Sequence, residues 1–156
     1  AQEYRKVPVE PAYIARNLYT PSYVSLQYAL SWHHLIPEYV SVVNCITSGR
    51  PKEISTPLGY FRYHHIKQDY FRGFKSVPLA SDDAALLALP EKALLDLIYL
   101  TPHSDSQEYI RELRLQNLDN IDIYRLREEC STFSGKKMAH ACSIIESFIE
   151  GGREND

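Results

Sequence analysis

Between Ala88 and Leu100 the chain reads ALPEKALLDLIYL, with Pro90 near its start and Thr101-Pro102 just beyond its end. Proline is tolerated in the first turn of a helix and not inside it, so Pro90 opens a helix and Thr101-Pro102 closes it. Leu94, Leu95, Leu97, Ile98 and Leu100 cover most of the circumference of the helix predicted over Glu91 to Leu100. A helix that is apolar on most sides must be packed on most sides, so this segment is expected to be the central buried element. Glu91 in its first turn complements the positive end of the helix dipole. Lys92 and Asp96, one turn apart, are expected on a narrow polar strip, where such a pair contributes about 0.3 kcal/mol.

The segments before it alternate in period. Ala1 to Pro8 is a lead-in, and Glu10-Pro11 opens a short helix with Tyr13, Ile14, Asn17 and Leu18 on its inner side. Thr20-Pro21 ends that helix. Ser22 or Ser25 caps a second one, whose buried face would be Leu26, Ala29, Leu30 and His33, closed by Leu35-Ile36-Pro37. Tyr39 to Thr47 is rich in β-branched residues and reads as a strand, with Val40, Val42 and Ile46 on one side. After the loop Ser48 to Pro51, Ile54–Thr56 and Tyr60–Ile66 form a hairpin around Pro57-Leu58-Gly59. Phe71 to Val77 adds a strand broken at Pro78. Ser81-Asp82-Asp83 then leads into Ala84 to Leu89, which suits strand or helix.

Beyond the central helix, Ser106–Leu113, Asp122–Cys130 and Ser134–Ile149 show helical spacing. Met138, Ala141, Ile145 and Phe148 form the inner stripe of the last, Gly151-Gly152 stops it, and residues 151–156 make a frayed tail. The expectation is one α+β domain over residues 1–156. It has N-terminal helices, a central mixed or antiparallel sheet, a buried central helix and a C-terminal helical part.

With 44% hydrophobic and 24% charged residues, the composition is that of an ordinary soluble domain. No signal peptide is visible and no apolar run approaches the ~20 residues of a membrane span, so a cytoplasmic protein is expected. Cys45, Cys130 and Cys142 are odd in number and lack CxxC spacing, which reads as reduced, mostly buried thiols. His33-His34 and His64-His65 are adjacent pairs whose side chains diverge, so they make poor metal ligands. No GxSxG turn, GxGxxG loop or P-loop occurs. Pro90-Glu91-Lys92 superficially resembles a nuclease carboxylate site but is better explained as a helix start. No catalytic residue, metal ligand or cofactor is assigned.

The formal charge of -3 is unevenly placed. Six basic residues against two acidic ones lie between Arg50 and Lys75, whereas residues 101–156 hold seven basic and eleven acidic ones. A basic stretch of this kind suits phosphate or an acidic partner. Arg62 and His64 would emerge from one strand face, with Lys67, Arg72 and Lys75 following and Tyr60, Tyr63 and Tyr70 interleaved. These five basic positions are the candidate nucleic-acid or partner-binding residues; the competing reading is a solvated strand face with core-edge tyrosines. Tyr13, Tyr23 and Tyr28 argue equally for a protein interface.

Several blocks carry a family resemblance in order along the chain: YVSLQYALSWHHLIPE, GYFRYHHI followed by FRGF, ALPEKALLDLIYL, and LRLQNLDNIDIYRLRE. Together they resemble the AbiEi-type antitoxins, transcriptional regulators of type IV toxin–antitoxin and abortive-infection systems, over roughly Ile14 to Ile149. The resemblance implies a bacterial regulator that represses its own operon and counteracts a nucleotidyltransferase-like toxin. Such regulators usually carry an N-terminal winged helix that binds operator DNA, and the lead before Ile14 is too short for one. The expected function is therefore a non-enzymatic antitoxin or regulatory domain acting by DNA or partner-protein binding. The alternatives are a protein-interaction module that binds no DNA, or a metal-dependent hydrolase or nuclease whose carboxylates converge only in three dimensions.

Overall fold

Among the described residues, six strands form one mixed sheet with helices on both faces, an α+β architecture. The computed structural model describes residues 3–78 and 84–154. Ser81-Asp82-Asp83 and the ends at 1–2 and 155–156 lie outside the described residues. In chain order the elements are α1 (Glu3–Leu18), β1 (Ser22–Val24), α2 (Leu26–Trp32), β2 (Val42–Thr47), β3 (Lys52–Thr56) and β4 (Gly59–His65). These are followed by β5 (Phe74–Pro78), β6 (Ala84–Ala88), α3 (Pro90–Leu100), α4 (Gln107–Glu112), α5 (Ile123–Cys130) and α6 (Lys136–Glu154). Single 3₁₀ turns occupy Gln68–Tyr70 and Leu118–Asn120.

The strand order is β3-β4-β2-β1-β6-β5. The expected hairpin forms, with Thr56 opposite Gly59 and Ile54 opposite Phe61. β4 then lies parallel to β2, placing Arg62 beside Asn44 and His64 beside Ile46. β1 joins the two halves, antiparallel to β2 and parallel to β6. Ala84–Ala88 resolves as strand, antiparallel to β5.

One sheet face packs on α1, where the Tyr63 hydroxyl donates to the Ala15 carbonyl at 2.6 Å. The contact side of α1 is Ala12 and Ala15, with Ile14 and Leu18 partly buried; Asn17 is exposed, contrary to expectation. Small residues let the helix approach the sheet closely, which a count of apolar spacing does not weigh. The other face packs on α2 and α3. Middle strands covered on both sides are buried on both sides, so Val43, Asn44, Cys45, Ile46 and Thr47 are all interior.

Several boundaries differ from the sequence reading. α1 begins at Glu3 rather than at Glu10-Pro11, over residues such as Glu3, Arg5 and Lys6 that favour helix. Ser22–Val24, expected to lead into a helix, is strand. α6 continues through Gly151-Gly152 to Glu154. A Cβ on Gly152 would lie 2.6 Å from Leu118 Cδ1, so this glycine permits close packing on the 3₁₀ turn instead of ending the helix. Cys130 and Cys142 are bonded to each other, contrary to the expectation of reduced thiols, while Cys45 stays free and buried. The α5–α6 turn brings the last residue of one helix beside the second turn of the next.

Candidate functional site

The polar residues of the central helix are interior. Lys92 and Asp96 are both 0% exposed, with Lys92 Nζ 2.8 Å from Asp96 Oδ1. The expected polar strip is not at the surface, because sheet and helices enclose α3 from Glu91 to Ile98. Lys92 also donates to the Tyr23 hydroxyl at 2.9 Å and to the Tyr70 carbonyl at 2.7 Å. Its ammonium lies over the Tyr23 and Phe133 rings. Asp96 Oδ2 accepts from the Tyr23 hydroxyl at 2.8 Å and from Ser25 Oγ at 2.9 Å. Burial pushes the Asp96 carboxyl up, while Lys92, Tyr23 and Ser25 pull it back. Burial and then the Asp96 charge push the Tyr23 hydroxyl up, keeping it protonated as a donor.

The network explains the sequence blocks as joints. Ser25 stands at the N-cap of α2, yet its hydroxyl serves Asp96 and makes no capping bond. Glu91, also buried, accepts from the Asp122 N–H at 2.8 Å and so ties α3 to the start of α5. Arg72 reaches Glu129 at 2.8 Å. Between them Gly73 has φ +77, and a Cβ there would lie 2.7 Å from Lys92 Cγ. The glycine of FRGF is thus required both by backbone conformation and by contact with the buried lysine.

The five sequence-predicted binding residues are spread from β4, near one end of the sheet, to β5 at the other. Arg62 is half-exposed and paired with Glu53 at 2.9 Å, and the Tyr60 hydroxyl donates to the same carboxylate. Arg72 is neutralised by Glu129. Lys75 lies on β5, four strand positions from β4, a separation of roughly 19 Å. That is about two Debye lengths at physiological salt, so the two ends do not act as one charged patch. Lys67 is exposed at the turn after β4. Tyr63 and Tyr70 are buried and cannot serve as stacking platforms, and Tyr23 belongs to the core instead of an interface.

Arg62 and His64 do share a site. With Asn44 from β2 they floor an open groove of about 620 Å³. Its walls come from Leu26 of α2, Leu97 and Leu100 of α3, Leu113 after α4, and the loop Glu38–Ser41. Tyr39, on that loop, is 89% exposed. A second hollow of about 390 Å³, over β3 and β4, also includes Arg62 and His64. The groove is lined by Glu38 and Glu112 against the single cation Arg62. Burial, then the charge of Arg62, holds His64 below the ordinary imidazole value of 6.5, so it is neutral at pH 7. Of the two carboxylates, Glu38 is itself paired with Arg114, and Lys52 lies in the adjoining hollow, so the charges around the site largely offset one another.

No protein-family model, curated protein or solved structure matches this chain.

Among the described residues, no three His, Cys, Asp or Glu side chains gather where they could hold a metal ion. One ring of each histidine pair is held by a backbone carbonyl: His33 Nε2 meets that of Ala88 at 2.9 Å, and His65 Nδ1 meets that of Gly49 at 2.8 Å. Burial pushes the Cys45 thiol up, away from thiolate reactivity. No described helix is long and apolar enough to cross a membrane. Sequence reasoning placed Arg62 and His64 on one face correctly but missed Asn44, Glu38 and Glu112. Only the parallel β2–β4 register, which no hairpin signal announces, brings Asn44 beside Arg62.

Proposed function

We propose that this chain is a non-enzymatic regulatory domain of the AbiEi-like antitoxin type, and that it acts by docking a partner protein. The observation that carries this reading is the half-covered sheet face at β2 and β4. There an open groove mixes apolar walls with Asn44, His64 and charged side chains that already have partners within the fold. Apolar area with a few oriented polar groups suits a protein surface, whereas a nucleic-acid site needs uncompensated cations. Arg62 and Arg72 already have carboxylate partners within the fold, which favours protein docking over operator contact by this region. The ordered blocks from Tyr23 to Glu128 support the antitoxin reading, with a nucleotidyltransferase-like toxin as the partner. Any operator binding then belongs to a separate winged-helix module.

The test is co-expression of the tagged chain with a nucleotidyltransferase-like reading frame encoded beside it. A complex that survives high salt, together with no salt-sensitive retention of operator DNA, is expected. A steep fall of DNA affinity with salt and no protein complex would overturn the reading, as would the absence of such a neighbouring gene.

A further inference from the structure

The turn between α5 and α6 lies over the buried lysine. Phe133, in that turn, stacks on the Tyr70 ring with centroids 4.7 Å apart, and the Lys92 ammonium sits 5.5 Å from the Phe133 ring centroid. The Ser134 N–H donates to the Tyr70 hydroxyl at 3.3 Å, and the two side-chain hydroxyls are 2.9 Å apart. Tyr70 in turn gives its carbonyl to Lys92. Phe133 is 8% exposed and Tyr70 7%, whereas Lys92 is fully enclosed. Two rings at the edge of solvent thus cover a charge that never reaches it, and the turn carrying Phe133 acts as their lid.

A covalent strap spans that lid. Cys130, the last residue of α5, is bonded to Cys142 in the second turn of α6, and Phe133 and Ser134 lie in the segment the bond closes. The turn's own backbone bonds run back to α5, from the Thr132 N–H to the Glu129 carbonyl and from the Phe133 N–H to the Cys130 carbonyl. They do not fasten it to Tyr70. At the far end of the turn Gly135 has φ +99, with nothing within 4 Å of where a Cβ would stand. A glycine in open space leaves that end free to swing. Glu129, beside Cys130, also holds Arg72, so this end of α5 grips the segment from Gln68 to Gly73 at two points. Both cysteines are partly exposed, and a thiolate from solution can reach the bond.

We propose that Cys130–Cys142 is a redox strap. The bonded form keeps the turn shut over Tyr70 and Lys92, and reduction lets it open locally. The chemistry is exchange with a dithiol. One thiolate of the dithiol attacks a sulfur of the bond, a mixed disulfide forms, and the second thiol displaces the protein sulfur. Two electrons and two protons pass to the protein, leaving two cysteine thiols and the reductant as its own disulfide. This device is independent of the docking reading above.

The experiment compares the whole chain in its bonded form and after dithiothreitol treatment, well below the melting midpoint. Deuterium uptake and acetylation of Lys92 by N-hydroxysuccinimidyl acetate are both mapped by mass spectrometry. Reduction should speed exchange about tenfold in Gln68–Gly73 and Phe133–Ala139, with β2 and β4 unchanged, because the opening is local. Lys92 acetylation should quicken by a similar factor, and oxidised dithiothreitol should restore both rates. Cys142→Ser should behave as the reduced parent with or without reductant. Phe133→Ala, with the bond intact, should raise Lys92 acetylation in the bonded protein, which separates the lid from its strap. Equal Lys92 labelling in the two states would overturn the proposal. So would faster exchange spread evenly through β2 and β4, or an intact mass showing no bonded pair. If Cys142→Ser fails to fold, the two states of the parent carry the test alone.

Discussion

Lys92 and Asp96, one helical turn apart, form an ion pair at 2.8 Å that is sealed from solvent on both sides. Removing one member leaves the other charge buried and uncompensated, at a cost of about 3–5 kcal/mol. Lys92→Met and Asp96→Leu should each lower unfolding stability by that amount in urea titration. The double replacement should cost less than either alone, because no charge is then stranded. Single losses below about 1 kcal/mol would mean that water reaches the pair.

Gly73 is the tightest point of the same network. Gly73→Ala places a methyl against Lys92 Cγ and asks an L-residue to hold φ +77. A loss of about 1–3 kcal/mol is expected from the backbone strain, with more if Lys92 cannot shift. Thermal melting of the variant measures it. A neutral substitution would show that the Arg72-Gly73 turn relaxes freely.

Much of this fold is legible along the chain, and the exceptions share a cause. Helices from Pro90 onward announce themselves by spacing, by Pro90 at the first turn and by the Ser106 and Asp122 caps, whose side chains accept from the backbone N–H groups of Tyr109, Tyr124 and Arg125. The hairpin around Pro57-Leu58 is equally clear. β1 is not, because three residues between a proline and a cap carry no period. Lys92 and Asp96 resemble an ordinary exposed pair because their other partners, Tyr23 and Ser25, lie some seventy residues away. The basic run from Arg50 to Lys75 reads as a patch until the sheet order places β4 and β5 far apart. Contacts made by topology leave no local signature.

The Cys130–Cys142 bond closes a loop with a sequence separation of 12, which contributes about 2–3 kcal/mol by restricting the unfolded chain. Alkylation before and after reduction, read by intact mass, should find one reactive pair that appears only on reduction. Dithiothreitol should lower the melting midpoint by several degrees, and Cys130→Ser should abolish that response. A reductant-insensitive midpoint in the parent would contradict a stabilising bond.

Two histidines make stability depend on pH near neutrality. Burial holds His33 and His64 below the ordinary value of 6.5. The unfolded chain therefore takes up these protons first as pH falls. Their contribution to stability is complete above about 6.5 and is lost progressively below it, until the folded forms also protonate. His64→Asn should flatten the decline in urea midpoint between pH 7 and pH 5 relative to the parent. An unchanged slope would remove His64 from that effect.

A surface carboxylate in the hollow over β3 and β4 gives an independent check on the state of Arg62. Hydrogen bonds from Tyr60 and then Arg62 hold the Glu53 carboxyl below its ordinary range. Carboxyl titration followed by NMR should place Glu53 low in the parent and return it toward ordinary values in Arg62→Ala. If Glu53 already titrates normally in the parent, Arg62 is free to bind an anion, and the case against phosphate at this site weakens.

The most direct measurement is amide hydrogen exchange of the whole chain with and without the purified product of a neighbouring nucleotidyltransferase-like reading frame, the partner proposed above. Docking through the uncovered sheet face predicts new protection in Glu38–Val42, in the exposed flank of β4 and at the end of α4, with residues 74–78 unchanged. Protection confined to Lys67–Pro78, or none anywhere, would contradict it.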